Sequence, residues 1–150
     1  MKPIFLSLLL GSLGLAIAGC NRSVAETETH VHTPAATYKE GHGLKLSPGG
    51  ARFVALASAD VVMRDVGVAK AVAAIPAGAL LRTVKGDFVF VANGEWYLRT
   101  PISVGAREGE WLEAREGLYE GDRVVVQGTR DLWLAEIQAV NGGVGCADGH

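Results

Sequence analysis

Cysteine and histidine are scarce in this chain of 150 residues, which has two cysteines, Cys20 and Cys146. No Cys and no His occurs between Leu44 and Val140. If Cys20 is modified, as argued below, Cys146 has no partner in the chain, so an intrachain disulfide is excluded. The same segment has no glycine-rich phosphate loop ahead of a helix. Because no acid, base or nucleophile stands in a recognisable arrangement, we expect the protein not to be an enzyme.

Neither sign of charge dominates the composition. Lys and Arg number 14 against 16 Asp and Glu, a net charge of −2 with His neutral, and removal of the leader described below takes away Lys2 and makes it −3. The sequence has no basic cluster of the kind that neutralises phosphates. Nucleic acid is therefore not an expected partner.

The first twenty residues have the layout of a secretory signal. Lys2 supplies a positive start, an apolar run extends from Ile4 to Ile17, and small residues follow. This stretch is too short for a membrane-spanning helix. Its end, residues 17–20, reads Ile-Ala-Gly-Cys and resembles the lipobox of bacterial lipoproteins, in which the Cys thiol takes a diacylglycerol before cleavage. Residues 1–19 are thus predicted to be a lipoprotein signal peptide, with Cys20 as the lipidated N-terminus.

A lipid anchor implies a periplasmic protein that is held on a membrane without spanning it, since two or more acyl chains suffice for stable anchoring. Asn21 stands where an Asp would indicate retention at the inner membrane, which favours the outer membrane. Residues 20–43 are rich in Thr, Ala, Glu and His and are predicted to be a flexible tether. Residues 141–150, with four glycines, are predicted to be a disordered tail.

Residues 44–140 predict one small, mostly β domain, an antiparallel β-meander or β-roll with one or two short helices. Asn93-Gly94 favours a tight hairpin, since both residues tolerate the positive φ that a type I′ turn needs. Leu44-Lys45-Leu46 and the valine-rich run from Val61 to Val72 add further β structure. The five clearest predicted strands are Leu80 to Val84, Phe88 to Ala92, Trp96 to Val104, Trp111 to Arg115 and Arg123 to Gln127.

Two helices are expected. Ser47 as N-cap and Pro48 at the first position predict a helix with Phe53, Val54, Leu56 and Ala57 on one face. Apolar residues between Thr129 and Val140 predict a short amphipathic helix or a covering strand. The three tryptophans are expected to pack in or beside the core. A group of carboxylates is expected to lie on solvent-exposed hairpin edges. They are Glu108, Glu110, Glu113, Glu116, Glu120 and Asp122.

The histidines lie outside the predicted core and define a candidate metal site. His30 and His32 form an H-x-H pair, which places two rings on the same side of an extended chain. Imidazole and thiolate are good ligands for copper and zinc. Because these candidate ligands are loosely spaced on segments predicted to be flexible, we expect them to bind Cu or Zn weakly and exchangeably. We expect no resident cofactor. The candidate ligands are His30, His32, His42, Cys146 and His150.

Three segments in order resemble the C-terminal part of the periplasmic adaptor subunits, or membrane fusion proteins, of RND-type efflux pumps. They are the runs at 75–80 (IPAGAL), 86–91 (GDFVFV) and 99–105 (RTPISVG). Residues 117–128, GLYEGDRVVVQG, are similar to the family's closing GL-x-x-GD-x-VV-x-x-G segment. Leu44 through Val68 is similar to the N-terminal segment of the heavy-metal branch of these adaptors.

The resemblance implies that this chain corresponds to the membrane-proximal domain of such an adaptor and lacks the adaptor's other domains. In full adaptors a long middle, with the lipoyl-like sandwich and the helical hairpin, separates the two segments, whereas here Val68 and Pro76 are a few residues apart. The implied role is an accessory component, of the heavy-metal type, that docks on an RND transporter or on full-length adaptors. A metal carrier that uses its tails, and a degenerate gene product, are the alternatives. The candidate contact residues are Asn93, Gly94, Glu95, Tyr119, Glu120, Gly121 and Asp122.

We expect Cys20→Ala to abolish membrane attachment, because the predicted anchor is a lipid on that thiol. Fractionation of cells followed by a high-salt wash measures this directly. The folded domain should keep its thermal midpoint, since the substitution lies outside residues 44–140. A variant that still pellets with membranes after the wash would show that the lipobox interpretation is wrong.

Overall fold

The computed structural model describes residues 33–142. The predicted signal peptide and the candidate residues Cys20, His30, His32, Cys146 and His150 lie outside this range, so those predictions stay predictions.

Strands dominate the described chain. The strands are β1 (Ala36–Lys39), β2 (Gly43–Leu46), β3 (Ala57–Asp60), β4 (Val62–Val66), β5 (Ala69–Pro76), β6 (Leu81–Thr83), β7 (Gly86–Asn93), β8 (Trp96–Pro101), β9 (Ser103–Glu108), β10 (Trp111–Glu116) and β11 (Arg123–Gln127). The helices are α1 (Pro48–Ala51) and α2 (Thr129–Val140), with a 3-10 turn at Ala77–Ala79.

Two antiparallel sheets are formed from these strands. Sheet A has the order β1-β2-β8-β7-β11-β3, with β6 also paired to β7, and sheet B has the order β4-β5-β10-β9. The predicted class, a small antiparallel β domain with short helices, is confirmed. The N-terminal strands β2 and β3 pair with β8 and β11, so the two ends of the domain fold into one sheet.

The chain changes sheet at Ile102. This residue is buried and its amide donates to the carbonyl oxygen of Asp87 at 3.0 Å, between the end of β8 and the start of β9. The single strand predicted for Trp96 to Val104 is therefore two strands in different sheets. Only β6, β7 and β8 follow one another as a meander within sheet A.

Helix α2 covers one face of sheet A. Leu132 of the helix packs with Leu44, Phe90 and Val125 of the sheet, all fully buried, so the predicted amphipathic segment is a helix. An ion pair reinforces this contact: Arg99 Nε lies 2.6 Å from the carboxylate of Glu136, whose side chain is almost fully buried. Because removal of Arg99 would leave the nearly buried carboxylate of Glu136 without a partner, this pair favours the observed position of the helix.

Sheet B packs on part of the other face of sheet A. Val89 and Val124 of sheet A meet Ile75 and Leu112 of sheet B in a second buried cluster. The three tryptophans, Trp96, Trp111 and Trp133, are half-buried. Of the three, Trp133 packs against the buried cluster beneath α2, as predicted.

Two predictions near the N-terminal end were wrong. Residues 36–43 are not tether, because β1 pairs along its length with β2, from Ala36 opposite Leu46 to Lys39 opposite Gly43. Helix α1 begins as predicted, with the Ser47 hydroxyl accepting from the Gly50 amide at 3.0 Å, but it ends at Ala51. Phe53 is 90% exposed, and Ala57 begins β3. Pairing with β11 therefore overrides the helical spacing of the apolar residues.

In residues 33–142, neither α-helix has the length and apolar character needed to cross a bilayer.

Gly43 allows β2 to lie against β8. Its φ is 90°, and a Cβ there would overlap the carbonyl oxygen of Tyr97. We expect Gly43→Ala to lower the free energy of unfolding by about 3 kcal/mol, because backbone strain and overpacking add. Gly41→Ala is the matched control, since Gly41 also has a positive φ of 74° but has open space around its Cα. It should cost about 1 kcal/mol. Urea unfolding measures both, and equal losses would contradict the close approach of β2 and β8.

Candidate partner-binding edge

The seven candidate contact residues lie in two loops at one end of sheet A. The loop after β7 contains Gly94 and Glu95, and the turn before β11 contains Tyr119 to Asp122. Because β7 and β11 run antiparallel with Val91 opposite Val124, both loops emerge at the same end of the sheet. We call residues 93–95 and 119–122 together the loop edge.

The β7–β8 hairpin is tight, but its turn differs from the predicted one. Asn93 pairs with Trp96, so the two loop residues are Gly94 and Glu95. Gly94 has a φ of 61°, whereas Asn93 is not among the residues with positive φ. A positive φ at the first loop position alone is the pattern of a type II′ turn, and the type I′ prediction was wrong. The Glu95 carboxylate bonds Lys45 Nζ at 2.6 Å, which ties this turn to β2.

The second loop is held by hydrogen bonds at both ends. Asp122 accepts from the Tyr119 amide at 2.8 Å through its side chain, and its own amide donates to the Tyr119 carbonyl oxygen at 3.1 Å. Two backbone bonds join this turn to Val61, one from the Gly121 amide and one to the Asp122 carbonyl oxygen. Leu118 is buried directly before the turn. The Tyr119 ring nevertheless remains 80% exposed, as an aromatic group on a rigid support.

The loop edge carries an excess of negative charge. Arg123 is paired with Asp60 at 3.2 Å, and Lys45 with Glu95, so these charges are largely neutralised. Within residues 33–142, Glu120 and Asp122 have no ion-pair partner within 4.0 Å. The free charge of the surface therefore comes from these two carboxylates.

An open cleft lies beside the loop edge. Sheet B covers the inner face of sheet A over β7 and β11, where Val91 packs at the margin of the core. Over β8 and β2 no strand or helix within residues 33–142 covers the same face, and a cleft of about 300 Å³ is lined by Gly41, His42, Val91, Asn93, Trp96 and Leu98. Antiparallel pairing puts Val91 opposite Leu98 and Asn93 opposite Trp96, so these four side chains share one face.

Of the candidate metal ligands, the described residues contain only His42. It is exposed in the turn between β1 and β2, and its ring lies edge-on to Trp96 with centroids 5.8 Å apart. Its Nδ1 is 3.3 Å from the carbonyl oxygen of Glu40. No group of three or more His, Cys, Asp or Glu suited to a metal ion occurs in residues 33–142.

Glu113 differs from the other carboxylates that were predicted at hairpin edges, because it does not lie on a solvent-exposed edge. It is 9% exposed, and its Oε2 accepts from the Ala106 amide at 2.6 Å where the pairing of β9 and β10 shifts register. Gly105 leaves the space that this carboxylate occupies. No pattern in the sequence predicts this contact, because the bulge breaks the alternation of β10.

The altered pKa values lie away from the loop edge, at the β4–β5 hairpin. Hydrogen bonds from Lys70 Nζ and then from the Ala71 amide hold the pKa of Asp65 below its usual value. The same contact with Asp65 raises the pKa of Lys70. Both groups are exposed, and they fasten the hairpin around Ala71, which has an unusual φ of 48°.

Two comparisons with known proteins bear on this fold. Residues 73–130 match the CzcB C-terminal circularly permuted SH3-like domain. The chain is also 33% identical over 86 residues to the efflux pump periplasmic linker BepD of Brucella suis biovar 1 (strain 1330). Both comparisons support an adaptor-type domain. The aligned region is 56% of this chain but spans only 19% of the length of that linker.

The matched segment covers the C-terminal strands of the domain. Residues 73–130 begin within β5 and end as α2 begins, so they contain the loop edge and most of sheet B. Strands β2, β3 and β4 precede this segment in the chain and pair with β8, β11 and β5, whereas β1 pairs with β2. The resemblance read from residues 75–128 is therefore supported in its coarse form, an efflux-adaptor domain.

Asp122→Ala should loosen the Tyr119 turn, because the Tyr119 amide loses its side-chain acceptor. We expect a loss of about 1 kcal/mol in unfolding free energy and faster hydrogen exchange at Tyr119. Asp122→Asn is the matched control, since its side-chain oxygen still accepts the bond. Nuclear magnetic resonance hydrogen exchange measures the difference, and equal exchange in the two variants would show that the side chain does not hold the turn.

Proposed function

We propose that this chain is an accessory, non-enzymatic component of an RND-type efflux system of the heavy-metal type. It acts by docking its loop edge on the transporter or on full-length adaptors in the periplasm. The observation that carries the proposal is the adaptor-type domain at residues 73–130, with both candidate loops at one end of sheet A. The similarity of Leu44 through Val68 to heavy-metal adaptors supports the finer assignment.

The size of the domain limits how it docks. A single edge of a domain this small buries a modest interface, which is typical of weak association. Confinement to a membrane surface through a lipid on Cys20 would raise the effective concentration of the two partners and strengthen the contact. The proposed lipid anchor and the proposed docking are therefore complementary parts of one function.

The tail-based metal carrier is a second candidate, but no contact among the described residues favours it. Its ligands other than His42 lie outside residues 33–142. Within that range, His42 faces Trp96 and belongs to no group of three or more potential metal ligands. Docking is the better supported function because residues 73–130 match an adaptor-type domain.

Photo-crosslinking in cells tests the docking. A photoreactive residue at Glu95 or at Tyr119 should trap an RND transporter or its full-length adaptor, because both side chains are highly exposed on the loop edge. Mass spectrometry of the adduct identifies the partner. The same probe at Val84 is the matched control, because Val84 is fully exposed but precedes β7, at the end of that strand roughly 25 Å from Gly94.

The result expected is an adduct from the two loop positions and none from Val84. Tyr119→Ala should reduce the Glu95 adduct without a change in thermal midpoint, since the ring makes little contact with the domain. If correctly lipidated, well-expressed protein gives no adduct with either component from any loop position, the efflux proposal fails. The metal carrier then becomes the better hypothesis.

A further inference from the structure

The uncovered half of the inner face of sheet A is apolar without contributing to either core. Leu98 is 39% exposed and Trp96 half-buried, although both lie in a strand whose opposite face is packed under α2. Leaving such side chains in contact with water forgoes hydrophobic stabilisation, and exposed apolar surface of this kind is typical of interaction sites. The cleft along these residues is large enough for one leucine or phenylalanine side chain.

The cleft is preformed. The imidazole of His42 stands edge-on against Trp96 at 64° between ring planes, and the tight Gly94-Glu95 turn holds this same end of β8 against β7. The Lys45–Glu95 ion pair bridges β2 and the turn beside it. A pocket with walls on two strands and a turn needs little rearrangement to accept a side chain, which lowers the entropic cost of binding.

The charge next to the cleft indicates which kind of residue the partner presents beside its apolar side chain. Asn93 of the cleft and Asp122 of the loop edge lie at the same end of the neighbouring strands β7 and β11, and Glu120 lies in the same turn. Neither of these two carboxylates has an ion-pair partner within residues 33–142. With strands about 4.8 Å apart, the centre of the cleft over β8 lies roughly 10 Å from these carboxylates.

We propose that the cleft receives an apolar side chain of the efflux partner, and that Glu120 and Asp122 pair with a lysine or arginine about three residues away along an extended segment of the same partner. An extended chain advances about 3.3 Å per residue, so that spacing matches the 10 Å separation. This inference rests on the proposed function and names what the loop edge recognises.

Substitution in the cleft tests the apolar contact. Leu98→Lys should lower the yield of the Glu95 adduct about tenfold, while Leu98→Met should retain it. Val84→Lys is the matched control and should leave the yield unchanged, because it adds the same charge at the far end of β7. Thermal midpoints confirm that each variant is folded.

The outcomes separate the cleft from the docking itself. If Glu95 still gives the adduct at full yield in Leu98→Lys, the cleft proposal is wrong and the proposed function stands. If no loop position gives an adduct in the unsubstituted chain, both fail together.

A peptide titration tests the recognised chemistry without the cellular partner. The probe is an eight-residue synthetic peptide with leucine and arginine three positions apart, added to the purified chain at millimolar concentration. It should shift the indole N–H signal of Trp96, which Trp96→Phe identifies. A peptide with glutamate in place of arginine should bind about fivefold more weakly, and Glu120→Gln combined with Asp122→Asn should remove that difference. An unchanged Trp96 signal, or equal binding of both peptides, would overturn the proposal.

Discussion

Strand β11 is the constraint on which the rest of the domain depends. It is paired on one edge with β7 and on the other with β3, so it joins the C-terminal strands to the N-terminal ones. Its two faces serve both cores: Val124 packs against sheet B, and Val125 packs beneath α2, both without solvent exposure. A change in its register would exchange these two faces and displace the Tyr119 turn at its start. The position of the loop edge thus follows from the packing of a single strand.

Local chemistry made much of this fold predictable from the sequence. Alternating apolar residues and glycine-containing turns located most of the strands, and Ser47-Pro48 located the start of α1. The errors arose where tertiary contacts compete with local pattern. Pairing with β11 turned Ala57 into a strand residue. The break at Ile102 is marked only by Pro101, which still pairs with Phe88 as the last residue of β8. The buried carboxylate of Glu113 depends on a register shift that only the folded sheet creates.

The candidate site was predicted in part. Its loops could be identified because turn residues stand out between strands, and the resemblance indicated which of them to consider. The two loops lie at the same end of sheet A because β7 pairs with β11, and sequence spacing does not specify that pairing. The cleft beside them was not predicted at all, because Trp96 and Leu98 have the same alternating pattern whether a second sheet covers them or not. Only the extent of sheet B decides which half of the face is left open.

The β4–β5 hairpin has a consequence for how such a domain is connected to others. Its turn at Gly67 and Val68 projects into solvent, and the side chain of Asp65 fastens the two strands just behind it. The match to the SH3-like domain begins a few residues later, within β5. Because this solvent-exposed turn is held by hydrogen bonds of its own hairpin, it tolerates changes in chain length. Hundreds of residues can be inserted or removed there while both cores stay intact. The same fold can therefore accommodate connections of very different length at this turn.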